Sequence, residues 1–447
     1  MGNGEMKLNR YPKYKPTGIA WLPEVPEGWE VKPLKTWFKS TFSGSWGKDV
    51  PTGETGVVCY RIADFDYEHS ILSDDKLTFR SYKSSELKGK LLLAGDLLIE
   101  KSGGGEVSPV GRVVRVVSSR QATCSNFIQQ VRCGGEVDSS FACYIFSVLY
   151  ARRITKYFFN QTIGIQNLKV SRYLSLKAPL PPLPTQRAIV AFLDGKCGKI
   201  DRWVAAKERE VALLKELKQA MITEAVTGAT NVARTDTVRK MKPSGIPWLP
   251  EVPEGWEVRR LVSLFSNGVK SNKDFVYSRA LKFNYGTLIP KNELGDPEEY
   301  RDVYVKYSLL QKGDIVINGL NLNYDFNSMR VACAPCDGII TSAYIVCRPR
   351  LGIDTSYFTY LFKAMDYQKM FHGMGTGIRL TLSFNELRGQ FLPVPPLAEQ
   401  REIVAYLDEK CGKIDAEVAG LEREVTAMKE YKQRLIADVV TGQRKVA

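Results

Sequence analysis

The chain has 447 residues, of which 44% are hydrophobic and 25% charged, a balance that excludes global disorder. Its 63 Lys and Arg against 49 Asp and Glu give a net charge of +14, which favours a polyanionic partner, most often nucleic acid. The sequence lacks the roughly 18 consecutive apolar residues of a membrane span, and its polar start lacks the apolar core of a signal peptide. We therefore expect a cytoplasmic protein.

Cysteine and histidine usage predicts a reduced protein without a metal centre. Nine cysteines are scattered through the chain, and its two histidines are His69 and His372. Cys333 and Cys336 form the one Cys-x-x-Cys pair in the sequence, and a zinc site would need a second pair or nearby histidines. We therefore expect free thiols and no bound metal in this chain.

Two long segments recur along the chain. The first reads PTGIAWLPEVPEGWEV at 16–31 and PSGIPWLPEVPEGWEV at 243–258, an offset of 227. The second reads LPPLPTQRAIVAFLDGKCGKID at 180–201 and VPPLAEQREIVAYLDEKCGKID at 394–415, an offset of 214. Repeats of this length indicate duplicated domains rather than a solenoid. The chain is therefore predicted to be a tandem duplication with matched ends and diverged interiors.

Each half begins with the proline-rich segment, which we expect to be an extended lead-in whose tryptophans pack on the domain. Behind it, runs rich in β-branched residues at 91–105, 110–118 and 337–349 predict short strands. Apolar residues at helical spacing predict helices within 141–158 and 355–371.

The two interiors are related to each other. The Gly-Asp turn at Gly95-Asp96 recurs at Gly313-Asp314, an offset of 218, and each is followed by an apolar strand. Both interiors are basic, with 21 basic against 13 acidic residues at 32–180 and 17 against 12 at 259–394. We expect an α+β protein with two mixed domains of one fold that differ in their loops.

A long helix follows each interior. Both helices follow Pro-Pro and end at Val-Thr-Gly, where Gly228 and Gly442 suit a helix C-cap. Apolar residues spaced alternately by four and three predict a coiled-coil seam, and the other copy is the nearest partner for an antiparallel pair that fixes the separation of the domains. The predicted seam residues are Ile200, Val204, Val211, Leu214 and Met221 in the first helix and Ile414, Val418, Leu421, Val425, Met428, Leu435 and Val439 in the second.

These features predict five regions in chain order. They are a first domain at 1–180, a helix at 181–228, a linker at 229–242, a second domain at 243–394 and a second helix at 395–447.

Polar loops of the two interiors are the candidate DNA contacts. Glycine after a strand lets backbone N–H groups approach a phosphate, and asparagine matches adenine in the major groove; a plain hairpin loop is the structural alternative. In the first interior the candidates are Lys101, Ser102, Gly103, Gly104, Arg112, Ser125, Asn126, Thr162, Gln166 and Asn167. In the second they are Asn318, Asn321, Asn323, Arg330, Ser342, Tyr344, Thr376 and Arg379.

Catalytic motifs are missing from the sequence. It contains no GxxxxGK[ST] phosphate loop, no GxSxG elbow and no HExxH zinc motif. Asp75 with Glu86-Leu-Lys88 is a nuclease-like arrangement, but the second copy has Tyr304-Val-Lys306 in its place. An amino-methyltransferase motif of the [ND]PP[YFW] type is also absent. We expect a protein without catalytic residues.

The duplicated GI(x)WLPEVPEGWEV and PPLxxQRxIVAxLDxKCGKID segments, with the long helices that end in VTG, resemble the specificity subunit of type I restriction–modification systems. The resemblance covers essentially the whole chain. It implies that the interiors are two target-recognition domains, each of which reads one half of a split, asymmetric DNA sequence, and that the helices form an antiparallel spacer.

The resemblance also implies partners and cofactors outside this chain. Two methylation subunits would bind S-adenosylmethionine and methylate adenine, and restriction subunits would translocate DNA with ATP and Mg. This chain itself would be non-catalytic and hold no cofactor.

Two other classes of function stay open at this point. One is a self-contained nuclease or methyltransferase that carries its own DNA-binding domains. The other is a protein-interaction scaffold in which the coiled coil, rather than the basic interiors, binds the partner.

Overall fold

The computed structural model describes residues 10–162, 164–232, 239–284, 286–291, 296–377 and 380–446, apart from the side chains of Thr162 and Pro297. Contacts between Cα atoms divide the chain into two compact units. The first unit extends to Ala206 and takes in the chain again from Glu424, and the second comprises Lys207–Arg423. Each unit therefore contains one interior and a segment of both long helices.

The strands of the first unit are β1 (Tyr14–Ile19), β2 (Leu22–Pro26), β3 (Glu30–Pro33), β4 (Phe38–Ser43), β5 (Val57–Tyr60), β6 (Phe65–Asp66), β7 (Ile71–Leu72), β8 (Phe79–Arg80), β9 (Leu97–Glu100), β10 (Ser102–Gly103), β11 (Val113–Arg115), β12 (Ala122–Cys124), β13 (Ile128–Cys133), β14 (Phe159–Thr162), β15 (Ile165–Leu168) and β16 (Lys177–Leu180). Its helices are α1 (Ser84–Leu87), α2 (Ser139–Ala151), α3 (Val170–Tyr173) and the start of α4 (Leu183–Thr227), and 3-10 turns lie at Leu34–Trp37, Ile62–Asp64 and Ile154–Phe158.

The strands of the second unit are β17 (Met241–Ile246), β18 (Leu249–Pro253), β19 (Glu257–Arg260), β20 (Phe265–Asn267), β21 (Leu281–Asn284), β22 (Thr287–Pro290), β23 (Ser308–Leu310), β24 (Ile315–Ile317), β25 (Val331–Cys333), β26 (Gly338–Ile340), β27 (Ile345–Pro349) and β28 (Phe391–Val394). Its helices are α5 (Leu261–Leu264), α6 (Arg301–Tyr304), α7 (Thr355–Tyr367), α8 (Phe384–Leu387) and the start of α9 (Leu397–Val440), and 3-10 turns lie at Pro297–Tyr300 and Met370–Gly373.

Each interior contains a sheet with the same arrangement of strands. In the first unit the strand order contains β4-β13-β9-β11, and in the second it is β20-β27-β24-β25, with every one of these neighbours antiparallel. The helices α2 and α7 supply apolar side chains to the cores that cover these sheets. The prediction of an α+β protein with two duplicated mixed domains is confirmed.

The repeated Gly-Asp turn is explained by a buried ion pair. Asp96 is buried at the start of β9, and its two carboxylate oxygens each accept a hydrogen bond of 2.7 Å from Arg132. In the second copy Asp314 accepts hydrogen bonds of 3.0 and 2.7 Å from Arg348. Such a bidentate pair fixes the planes of both groups, so it ties two neighbouring strands of each sheet together.

The repeated glutamine of the PPLxxQR segment is a buried connector. Gln186 accepts a hydrogen bond of 2.8 Å from the N–H of Asp138 and donates to the carbonyls of Glu136 and Pro181. Gln400 binds Asp354 N–H and the Pro395 carbonyl, both at 2.8 Å. In each copy the glutamine therefore fastens the start of the long helix to the start of α2 or α7.

The long helices pack side by side in the second unit. Val211, Ile414, Val418 and Leu421 form a buried cluster with Leu214 and Met221 at its border. The Lys218 amino group lies 2.6 Å from the Asp415 carboxylate, and that of Lys215 lies 2.8 Å from Glu422. Residue numbers rise along one helix as they fall along the other, so the pair is antiparallel as predicted.

The same two helices also pack together in the first unit. Ile200 and Val204 lie in one buried core with Val425, Leu435 and Val439, and Met428 borders it. A hydrogen-bonded ion pair of 2.6 Å joins the Lys432 amino group to Asp201. None of the helices in the described part of the chain has an apolar stretch that could cross a membrane.

The repeated lead-in and the repeated helix end contact each other across the two copies. In the first unit Gly442, at the end of α9, lies against Pro26 and Trp29, and its carbonyl accepts a hydrogen bond of 2.8 Å from the Tyr14 hydroxyl. In the second unit Gly228, at the end of α4, lies against Pro253 and Trp256. Each lead-in hairpin (β1-β2 or β17-β18) therefore packs against the end of the helix that follows the other interior. Trp29 and Trp256 are buried, as predicted.

Candidate nucleic-acid interface

One candidate loop occupies the same place in both copies. It follows β9 at 101–112 and β24 at 319–330. The hydrogen bond from Glu100 N–H to the Arg112 carbonyl in the first copy corresponds to that from Asn318 N–H to the Arg330 carbonyl in the second, so the two matched segments contain twelve residues each. The strands that carry them are held by the same buried Asp–Arg pair. The structure therefore presents two loops of equal length and different sequence on one frame.

In the first copy this loop is joined to β15, the strand that carries the candidates Gln166 and Asn167. Ser102 and Gly103 form β10, which pairs with Asn167 and Gln166 of β15. The Ser102 hydroxyl donates a hydrogen bond of 2.8 Å to the Asn167 side chain. The structure thus brings together candidates that lie 65 positions apart in the sequence.

Side-chain exposure separates the candidates of this region into two kinds. Lys101, Ser102 and Asn167 are half-buried or exposed, whereas Gln166 is buried and accepts a hydrogen bond of 3.1 Å from Val110 N–H. Gln166 thereby holds the far side of the 101–112 loop. Burial lowers the pKa of the Lys101 amino group from its usual value.

Arg112 is held by aromatic side chains. Its guanidinium lies 4.0 Å from the ring centre of Tyr67, donates a hydrogen bond of 2.9 Å to the Tyr150 hydroxyl and another of 2.7 Å to Ser108. Burial raises the pKa of Tyr67 to about 12. The composition of the loop does not reveal Tyr67, because it comes from a different part of the chain.

Glu100 is a buried carboxyl group beneath the glycine-rich loop. Its side chain is 5% exposed, its Oε2 has no hydrogen-bond partner among the described residues, and Gly103 leaves open the space beside its Oε1. Burial raises the pKa of Glu100 to about 7. The second copy has Asn318 at this position, whose side chain accepts a hydrogen bond of 3.1 Å from Leu320 N–H.

The other first-copy candidates differ in accessibility. Asn126 is exposed, whereas its neighbour Ser125 is buried. Gly104 has a φ of +64°, and an added Cβ would lie 2.7 Å from Val110 N, so glycine is required there by the loop itself. The side chain of Thr162 lies outside the described part of the structure.

In the second copy the loop is built around Arg330, which is 1% exposed. Its guanidinium donates hydrogen bonds to the carbonyls of Asn318 (3.1 Å), Leu320 (2.7 Å), Asn321 (3.4 Å) and Asp325 (2.5 Å). The backbone N–H of Arg330 donates a hydrogen bond of 2.8 Å to the Asp366 carboxylate. In this structure Arg330 therefore shapes the loop from inside instead of presenting its charge at the surface.

The remaining second-copy candidates lie at or near the surface. Asn321 is exposed with a φ of +53°, and Asn323 is half-buried. Ser342 is exposed, whereas Tyr344 packs edge-on against Phe283 at 5.2 Å. Thr376 is exposed and its backbone pairs with Thr381. Arg379 lies outside the described residues.

The nuclease-like residues serve local turns. Glu86 accepts a hydrogen bond of 2.8 Å from Lys83 N–H at the start of α1, and Asp75 accepts one of 2.7 Å from the Ser73 hydroxyl. Among the described residues, no group of three or more His, Cys, Asp and Glu side chains is placed to hold a metal ion.

Comparisons with known proteins agree with this architecture. Residues 253–426 match the family of the type I restriction modification DNA specificity domain. The chain is 23% identical over 298 residues to the type I restriction enzyme EcoBI specificity subunit of Escherichia coli, a match that covers 63% of this chain and 61% of that protein. It is 20% identical over 455 residues to the putative MjaX specificity subunit of Methanocaldococcus jannaschii, which covers 97% of both.

A solved structure has the same fold. It belongs to work on complex assembly and conformational transition of the type I restriction–modification system, and it matches 95% of this chain and 99% of its own with a TM-score of 0.66 at 17% identity.

The matched DNA specificity domain therefore lies in a chain of duplicated mixed domains joined to paired long helices. The family match at residues 253–426 and the similarity to named specificity subunits together support a specificity subunit of a type I restriction–modification system. The match of this chain spans less than two thirds of the E. coli relative but nearly all of the archaeal one. Both relatives are named specificity subunits.

Proposed function

We propose that the chain reads a bipartite, asymmetric DNA sequence, with one half-site for each recognition domain and a gap determined by the helix pair. It directs partner subunits to that site in the cytoplasm. Two methylation subunits carry S-adenosylmethionine and methylate adenine, and restriction subunits use ATP and Mg.

The observation that carries this proposal is the pair of equal-length loops at 101–112 and 319–330. A shared frame of strands and buried Asp–Arg pairs supports loops whose exposed side chains differ. A protein that binds the same ligand twice would retain its contact residues. Retention of the frame with change in the loops is expected of a protein that reads two different half-sites.

The predicted DNA contacts divide into phosphate attraction and base reading. The basic excess of both interiors supplies salt-dependent attraction to phosphates, while few side chains read base edges. The exposed amides of Asn126 and Asn321 are the strongest candidates for base reading, because an asparagine can bind adenine with two hydrogen bonds. Gln166 and Arg330 contribute through the shape of their loops.

Alanine variants test the base-reading assignment. The full chain is expressed with its methylation subunits, and methylated adenines are mapped by sequencing. Asn321→Ala is expected to relax one half-site and Asn126→Ala the other, with the gap unchanged. Gln219→Ala, at an exposed position of α4, is the control and should leave the motif as in the wild type. An identical motif in all three variants would refute the assignment.

The length of the helix pair provides a second test. One heptad inserted into each long helix, after Ala206 and after Thr426, preserves the seam register and adds about 10.5 Å at 1.5 Å per residue. We expect both half-sites to persist with a gap longer by roughly three base pairs, at about 3.4 Å per base pair. A heptad in one helix alone should abolish methylation. Altered half-sites with an unchanged gap would contradict the proposal.

A further inference from the structure

The loop at 319–330 carries two aromatic side chains at its surface. Tyr324 is 79% exposed and Phe326 is 51% exposed. Large apolar groups in a fixed, exposed position are typical of a contact site. These residues are separate from the amide and basic candidates in the same loop.

The backbone that carries the pair is held in place. Arg330 binds the carbonyls of Asn321 and Asp325 on either side of Tyr324. The Asp325 carboxylate accepts hydrogen bonds of 3.1 and 3.0 Å from the N–H groups of Asn327 and Ser328. Leu322 is buried in the core of the second unit. The aromatic tip is thus preorganised, which lowers the entropic cost of binding.

Phe326 is supported from behind by His372. The two rings are stacked with their centres 4.7 Å apart and their planes 16° from parallel. His372 Nε2 lies 3.1 Å from the Asp325 carbonyl, so the histidine contacts both the ring and the backbone of the tip. One face of Phe326 is therefore covered by His372, and the side chain is still 51% exposed.

The first copy lacks this feature. At the offset of 218, Glu106 and Ser108 take the places of Tyr324 and Phe326, and between them Val107 is 88% exposed. The aromatic pair is therefore particular to the second recognition domain and is not required by the shared frame.

We propose that Tyr324 and Phe326 form a wedge that inserts into the base stack of the half-site read by the second domain. The inference rests on the proposed DNA-reading function. Apolar and aromatic wedges enter a base step and unstack it, and aromatic rings stack on any base. Phe326 has no hydrogen-bonding group, so stacking is the contact available to it. The basic excess of 259–394 favours a nucleic acid over an apolar protein surface as the occupant.

The test uses the full chain with its methylation subunits and duplexes that contain the mapped target. A 2-aminopurine is placed in turn at each step of the second half-site, where unstacking raises its fluorescence. We expect wild-type protein to raise the signal at one step and the Tyr324→Ala, Phe326→Ala double variant to lose it. Affinity should fall on the order of tenfold or more, as for loss of base–aromatic stacking, with an unchanged salt slope, because no phosphate contact is removed.

Two further variants separate the wedge from general effects. Leu351→Ala removes a fully exposed apolar side chain elsewhere in the same unit and should bind as the wild type does. Phe326→Trp should retain the fluorescence signal. The melting temperature of each variant is compared with the wild type to show that the fold is intact.

The outcomes are distinguishable. A double variant with wild-type affinity and fluorescence overturns the wedge while the proposed function stands. Loss of assembly with the methylation subunits, with DNA binding intact, also overturns it, because the surface then binds a protein partner. A wild-type complex without sequence-specific DNA binding overturns the proposed function and the wedge with it.

Discussion

Gly442 closes the contact between the end of α9 and the lead-in hairpin of the first unit, and its replacement by alanine tests that contact. Gly442 has a φ of +77°, and an added Cβ would meet the Pro26 ring, with Cγ at 2.6 Å, and Trp29 at 3.2 Å. Pro26 and Trp29 are themselves buried in this unit, so neither ring can move aside freely.

Two costs add up in this variant. A left-handed conformation costs an alanine roughly 1–2 kcal/mol, and overpacking a well-packed site costs roughly 1–3 kcal/mol more. Gly442→Ala should therefore destabilise the first unit by about 2–5 kcal/mol. For a unit of this size that corresponds to a fall in Tm on the order of 5–15 °C.

Gly18→Ala is the matched control. Gly18 lies in the same hairpin with a φ of +72°, but its Cβ would meet no atom within 4 Å. It should show the backbone cost alone, about 1–2 kcal/mol. Differential scanning calorimetry and urea unfolding of the full chain measure both variants. Equal destabilisation by Gly442→Ala and Gly18→Ala would refute the proposed close packing of the helix end on the hairpin.

Three further variants test buried polar groups. Burial raises the pKa of Glu100 to about 7, so the stability that its protonated form contributes is full at low pH and is lost as pH rises through 7. Between pH 4 and pH 8, the free energy of unfolding of Glu100→Gln, measured in urea, should rise relative to that of the wild type by up to about 3 kcal/mol. Parallel pH profiles of the two proteins would contradict this. Asp314→Ala removes the carboxylate partner of Arg348 and should lower the free energy of unfolding by about 3 kcal/mol. The exposed control Lys413→Ala should lower it by under about 0.5 kcal/mol. Equal losses in the two variants would show that the buried pair does not stabilise the sheet. Gln400→Ala leaves the Asp354 N–H and the Pro395 carbonyl without their hydrogen-bond partner and should lower the free energy of unfolding by about 2–4 kcal/mol. We expect faster amide hydrogen exchange at the start of α7. Unchanged exchange would argue against the role of Gln400 as a connector.

The architecture was accessible from sequence because it depends on periodicity and repetition. The four-three spacing along α4 and α9 predicts the antiparallel pair, and the Gly-Asp turn repeated at an offset of 218 predicts two domains of one fold. These patterns reflect burial along an element, which local sequence records well.

Which repeated segments meet could not be predicted from these patterns. Gly442 suits a helix cap from its position alone, but its contact with Pro26 joins residues more than 400 positions apart. The same applies to Gly228 and Pro253, since the sequence does not record which copy of the hairpin receives which helix. Such contacts depend on how whole elements pack.

The candidate site was predictable as loops but not as side chains. Residue type marks Gln166 and Arg330 as possible base readers, yet both are buried and bind backbone groups of their loops. Polar side chains that shape a loop and those that face solvent have the same composition. Conversely, aromatic residues such as Tyr324 and Phe326 would ordinarily be assigned to a core. Only the structure shows that both are exposed and that Arg330 binds the Asp325 carbonyl between them.

The central claim is that two recognition domains read two different half-sites across a fixed gap. Mapping of methylated adenines by sequencing, in cells that express this chain with its methylation subunits, tests it most directly. We predict a single split motif with unlike halves and one gap length, which disappears when this chain is omitted. A continuous motif, or methylation at the same sites without this chain, would contradict the account.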